Sequence, residues 1–148
     1  MRARHLALPL PVLSAAALAG EATRLLASEQ VDGVLVVDEQ DRLLGVVTDT
    51  TTLAWLLPRY VTEDQALARV LDEHTADLLW HRLQDRTAQD LLPSGTARPC
   101  EVDADATLIE VAAVMTQTGL PLVAVRGAGR LLGGITSSRL LTQLLTRP

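Results

Sequence analysis

The sequence predicts an α/β (α+β) fold of two strand–helix–strand–strand–helix units, with one further helix between them. Three observations predict it. The stretch Arg42-Leu43-Leu44-Gly45-Val46-Val47-Thr48 returns as Arg130-Leu131-Leu132-Gly133-Gly134-Ile135-Thr136, and the glycines and threonines keep the same separation. Each stretch follows a short Val-rich run and a polar turn, which is how a hairpin reads. Upstream of each hairpin, apolar residues recur at helical spacing.

The elements follow in order. An opening extended piece, Pro11-Val12-Leu13 in the first unit and Pro99-Cys100-Glu101-Val102 in the second, leads into a helix. The spacing of Leu18, Ala22, Leu25 and Leu26 places the first helix over about 16–29; Leu108, Val111, Ala112 and Met115 place the second over about 107–118. Thr107 with Glu110 three residues on has the form of a capping box. Val34 to Val37 and Leu122 to Val125 are apolar throughout, as strands buried on both faces are. Asp38 to Asp41 and Gly127-Ala128-Gly129 supply the turns, and second strands run over 43–48 and 131–136. A last helix closes each unit, over about 51–57 and 138–145, with Pro58 stopping the first. The units are thus 1–58 and 87–148, and residues 59–86 form the insert. Thr62 with Glu63 and Asp64 reads as a helix start, and Leu67, Val70, Leu71, His74 and Leu78 as one apolar stripe. That stripe predicts a single helix packed on the pair, with Trp55 or Trp80 at the contact.

Composition excludes several functions. Aromatic residues make up 2% of the 148 and Phe is absent, so no stacking platform for single-stranded nucleic acid is expected. A formal net charge of −5 argues against a phosphate-backbone partner. The lone Cys100 excludes an internal disulfide and a multi-cysteine zinc site. Arg2 and Arg4 before an apolar run imitate a signal peptide, but Pro9 and Pro11 interrupt that run; the expected compartment is the cytoplasm. No apolar run reaches the ~20 residues of a membrane-spanning helix, so no membrane insertion is expected.

A unit of this order, present twice and ending each hairpin in Gly-hydrophobic-hydrophobic-Thr, resembles the CBS (cystathionine-β-synthase) domain family over about residues 5–58 and 87–148. The resemblance implies two CBS repeats packed sheet to sheet about a pseudo-two-fold axis, as in Bateman-type regulatory modules. It implies clefts that take AMP, ADP, ATP or S-adenosylmethionine, a homodimer, and an enzyme or transporter partner. The family's signature is Gly-h-h-Thr-x-x-Asp, whose Asp accepts from the ribose hydroxyls. Here the first copy reads Gly45-Val46-Val47-Thr48-Asp49-Thr50-Thr51, and the second Gly133-Gly134-Ile135-Thr136-Ser137-Ser138-Arg139. Both threonines are present, and Thr51 and Arg139 replace both aspartates. Asp49 helps the first helix start but repels phosphate. The second start offers Thr136, Ser137, Ser138 and Arg139, so an anionic ligand is expected in the second cleft, with Val102 and Leu122 supplying apolar contact for a base. Thr48 and Thr51 are the first cleft's counterparts. As caps, Ser137 and Ser138 would serve the helix alone.

No enzyme is expected. Ser14, Ser28 and Ser94 lack a nucleophile elbow, and no Walker loop is present. Cys100 reads as a small packed residue. His74, Asp77 and His81 share one helix face but are expected to continue the apolar stripe rather than to hold a metal. The sequence therefore reads as a regulatory module sensing an adenine nucleotide or related anionic metabolite; the alternative is a dimerisation scaffold with empty clefts.

Overall fold

The computed structural model describes residues 1–93 and 100–147; Ser94 and Pro99 fall outside the described residues. Two three-stranded sheets form the framework. In the first, β1 (Val12–Ser14) runs parallel to β2 (Val34–Val37), which pairs antiparallel with β3 (Leu43–Val47). The second repeats this order with β4 (Glu101–Asp103), β5 (Leu122–Gly127) and β6 (Arg130–Thr136). Val34 to Val37 and Leu122 to Val125 are buried, as their unbroken apolar runs require. The turn between β5 and β6 is two residues long, and Ala128 and Gly129 both take positive φ (51° and 77°), the backbone that matches strand twist in a tight hairpin.

The helices on these sheets follow the sequence with informative shifts. Helix α2 (Ala19–Ser28) starts later than its apolar spacing predicts. The chain turns at Ala15 to Ala17 instead, and the carbonyls of Ala15 and Ala17 accept from Gln89 and Ala88 at 3.2 and 2.7 Å. Helix α7 (Leu108–Thr118) begins in the predicted box: Glu110 N donates to Thr107 Oγ1 at 3.2 Å, and Thr107 N to Glu110 Oε2 at 2.6 Å. The closing helices are α3 (Asp49–Leu56) and α8 (Ser137–Leu145).

Two short elements were not visible in the sequence. The turn of helix α1 (Ala3–Leu6) docks on the second repeat, where Ala3 N donates to Ala106 O and Arg4 N to Ala104 O, each at 2.9 Å. A 3-10 turn, Ala88–Leu91, docks on the first repeat in the same manner through the Ala15 and Ala17 carbonyls. Each opening turn buries an Ala and a Leu three residues apart, Ala3 with Leu6 and Ala88 with Leu91. The repeats thus exchange their opening turns, which ties them into one body about the pseudo-dyad. Arg126 adds a polar tie: its Nε donates to Glu101 at 3.1 Å, and one Nη donates to the Asp41 carbonyl of the other sheet at 2.8 Å.

The insert differs from the single helix expected. It forms α4 (Arg59–Glu63), α5 (Gln65–Ala68) and α6 (Glu73–Gln84). Asp64 and Asp72 cause the breaks, because each caps a new start, on Ala66 N and Thr75 N at 3.0 Å. The stripe is consequently split: Leu67, Val70, His74 and Leu78 are exposed, and Leu83 is the insert residue that fills the core of the first repeat. Trp55 packs against that core with the Arg82 guanidinium 5.3 Å from its ring centre, whereas Trp80 stays half-exposed.

Candidate ligand clefts

Both signature threonines cap the closing helices. Thr48 Oγ1 accepts from Thr51 N at 3.1 Å, and Thr51 Oγ1 returns the contact to Thr48 N at 2.8 Å and Thr48 O at 3.0 Å. Thr51 is therefore turned back on its own helix start. Thr136 Oγ1 accepts from Arg139 N at 3.3 Å and meets Ser138 Oγ at 3.2 Å. Arg139 is half-buried, and its Nε donates to the Leu6 carbonyl at 2.7 Å.

Ser137 opens on a cavity of about 620 Å3 that both repeats line. Val31, Asp32, Asp49 and Thr50 come from the first repeat; Met115, Leu120, Pro121 and Ser137 are among those from the second. The Asp49 carboxylate is already engaged by Thr50, through its amide at 2.6 Å and its hydroxyl at 3.2 Å. Of the expected apolar contacts, Leu122 has no exposed surface, and Val102 lines a separate hollow with Arg2, Asp103 and Asp105. The structure thus brings Ser137 and the Asp49 start to one cavity, and places Val102 and Leu122 elsewhere.

A second, smaller cavity of about 390 Å3 lies between α3 and the Ala88–Leu91 turn, with Thr51, Trp55, Asp90 and Leu92 on its wall. Sequence reasoning missed it, although Trp55 beside the signature was a signal. Cys100 is packed as expected: its thiol donates to the Leu122 carbonyl at 2.8 Å, and burial raises its pKa against the opposing contact from Thr118. His74, Asp77 and His81 are all exposed rather than packed, because the broken insert carries them off the core.

The comparisons agree with this architecture. The family model for the CBS domain matches residues 4–57 and 96–146. A CBS domain-containing protein from Kribbella flavida is 39% identical over 99% of each chain, with a TM-score of 0.82. The CBS-pair protein CBSX2 from Arabidopsis thaliana is 22% identical, covering 97% of this chain and 94% of its own, with a TM-score of 0.72. A structure of CBSX2 in complex with AMP has the same identity, covers 97% and 96%, and has a TM-score of 0.67. No curated protein matches the chain. Two repeats of one topology, each ending its hairpin in Gly-hydrophobic-hydrophobic-Thr and each holding the other's opening turn, define a tandem-repeat α/β fold. The chain belongs to the CBS domain family, as a CBS pair. Among the described residues, no helix is long and apolar enough to cross a membrane.

Proposed function

We propose that this CBS pair is a regulatory module that senses an adenine nucleotide or related anionic metabolite and relays occupancy to a partner protein, without catalysing a reaction. The observation that carries this reading is the cavity of about 620 Å3 shared by the two repeats. Its size suits a small metabolite. Ser137, at the start of a nine-residue helix, offers a phosphate the positive end of that helix. Thr136 and Ser138 flank it in the same helix start, and Arg139 adds its charge when its side chain swings from the Leu6 carbonyl toward the ligand. Asp32 and Asp49 on the same wall penalise each added negative charge, so AMP is favoured over ATP. The AMP complex of CBSX2 supports the ligand class. Because both repeats line the cavity, filling it biases how they meet, and that bias is what a cytoplasmic enzyme or transporter partner would read.

A thermal-shift series with AMP, ADP, ATP and S-adenosylmethionine tests the reading. A ligand at a hundred times its Kd adds about 2.7 kcal/mol to the folded state. AMP is expected to raise the melting temperature more than ATP does. Arg139→Ala is expected to weaken AMP roughly ten- to a hundredfold, the loss of a charge-assisted hydrogen bond. Thr51→Ala is expected to leave AMP affinity unchanged. No shift with any of these compounds at millimolar concentration rejects nucleotide sensing.

One observation favours the scaffold reading. Leu141, Leu144 and Leu145 crowd the C-terminal half of α8 and are exposed, as are Leu53 on α3 and Ile109 on α7, and apolar residues grouped on one helix suit a contact with a second chain. Under either reading we propose a two-fold homodimer. Sedimentation of a stable 15.9 kDa species across micromolar concentrations would exclude it.

A further inference from the structure

We propose that the smaller cavity of the first cleft binds a guanidinium group, the same group that Arg139 places at the matching position of the second. The molecule contains its own comparison. The opening turns dock on the two repeats by equivalent backbone hydrogen bonds, so Leu91 corresponds to Leu6; the repeated signature makes Thr51 correspond to Arg139. In the second cleft the space between closing helix and opening turn is bridged by a guanidinium, through Arg139 Nε to the Leu6 carbonyl. In the first cleft Thr51 is too short to cross and is folded back on Thr48. A cavity of about 390 Å3 stands there instead, room for a guanidinium and a short aliphatic stem.

Its wall differs from the second cleft in the direction a cation requires. Trp55 stands where the second closing helix has Gln143, and Asp90 where the first opening turn has His5. An indole attracts a cation through its ring quadrupole, and a carboxylate accepts charge-assisted hydrogen bonds from guanidinium. The Thr87 amide holds Asp90 below the usual carboxylate range, so it stays ionised; burial slightly opposes this, and the Thr87 hydroxyl and Arg86 add to it. That the Trp55 ring accepts a cation is visible in Arg82, stacked 5.3 Å from its centre. Arg82 and Arg86 are exposed, and neither lines the cavity. The guanidinium could come from a free metabolite or from an arginine side chain of a partner protein; the chemistry at the wall is the same.

The test uses Trp55 as reporter. The chain has two tryptophans and one tyrosine, so in Trp80→Phe the emission excited at the red edge, where Tyr60 does not absorb, comes from Trp55. Arginine methyl ester is expected to change its emission saturably. Citrulline methyl ester, which keeps the shape and the α-ammonium but loses the guanidinium charge, is expected to bind at least about tenfold more weakly. Thr51→Arg, which supplies the second cleft's own filling, is expected to abolish the response while the protein still melts cooperatively. Asp90→Asn is expected to weaken it about tenfold. A blocked Gly-Arg-Gly peptide separates the sources: tighter binding than the ester indicates a partner's arginine, weaker binding a free metabolite. Equal binding of the two esters, no saturable response to either, or an undiminished response in a folded Thr51→Arg protein overturns the proposal. Failure of AMP to bind would leave it standing, because neither ester carries a nucleotide.

Discussion

The two repeats share topology and signature, yet they complete their cores and clefts with different parts of the chain. The second repeat takes the segment Arg2 to Leu10: α1 buries Ala3 and Leu6, and Leu8 exchanges backbone hydrogen bonds of 2.9 Å with Gly134 of β6. The first repeat takes the Ala88–Leu91 turn, and adds Leu83 from the insert. The second cleft is spanned by a charged side chain of the protein itself; the first has a threonine satisfied by its own cap. Duplication fixed the backbone hydrogen bonds that hold each opening turn. It left open the side chains that decide what each cleft accepts.

Close backbone approach gives the comparison its sharpest test. Gly133 sits at φ +135°, and a Cβ there would fall against the Leu8 carbonyl at well under 3.0 Å. Neither the backbone angle nor the neighbouring carbonyl can yield cheaply. Gly133→Ala is therefore expected to cost about 2–4 kcal/mol in urea unfolding. At Gly45, the counterpart, an added Cβ would meet the Leu92 Cδ2 methyl at 2.8 Å, the end of a flexible side chain. Gly45→Ala should cost about 1 kcal/mol or less. Equal losses at the two glycines would mean that Leu8 does not hold β6 as described.

The insert supplies a second contrast. Leu83 is fully buried among Ala19, Ala22, Val36 and Val47, whereas Leu78 on the same helix is exposed. Leu83→Ala is expected to cost about 2–3 kcal/mol by leaving a cavity. Leu78→Ala should stay within about 0.5 kcal/mol. A large loss at Leu78 in dilute solution would instead show that the exposed side of α6 is covered by another chain.

These contrasts show what a sequence of this kind reveals. Val-rich runs and repeated Gly-h-h-Thr endings place the hairpins because sheet burial demands continuous apolar residues, and the Thr107–Glu110 box marks α7 because capping is local chemistry. The opening turns escaped notice because four residues carry no period; their information lies in carbonyls of the other repeat. The insert's stripe was real in spacing, but Asp64 and Asp72 cut it by capping new starts, and periodicity alone does not weigh a cap against a face. For the site, the sequence showed which signature residues differ. It could not show that Arg139 ends on Leu6, a contact spanning almost the whole chain.

Arg139 and Thr51 give a smaller, separable effect on stability without ligand. Arg139→Ala removes the bond to the Leu6 carbonyl and should cost about 1–2 kcal/mol. Thr51→Ala removes one arm of a capping box that keeps its Thr48 arm, and should cost about 0.5 kcal/mol. Hydrogen exchange sharpens the reading: amides of residues 3–8 should lose protection in the Arg139 variant and keep it in the Thr51 variant.

The smallest expected effect concerns acid. In the second repeat Glu110 completes the box that starts α7, and the Thr107 amide holds its carboxyl below the ordinary value. The Thr107 hydroxyl and, more weakly, Arg2 act in the same direction, while slight burial opposes them. In the first repeat Leu18 occupies the N-cap of α2 and offers no side-chain cap. A carboxyl whose pKa is lower folded than unfolded contributes stability above its unfolded pKa. That contribution disappears as pH falls through the folded value. Between about pH 6 and about pH 3 the parent should therefore lose more stability than Glu110→Gln, so that the two melting curves converge in acid. Glu110 is fully exposed, which makes the effect one of slope rather than of large destabilisation. Asp90, lowered by its own Thr87 contacts, gives the first repeat a matching acid limb, and Asp90→Asn should flatten it in the same window. If Glu110→Gln leaves the pH slope of the melting temperature unchanged, the Glu110 arm of the box is not populated in solution, and the Thr107 hydroxyl caps α7 alone.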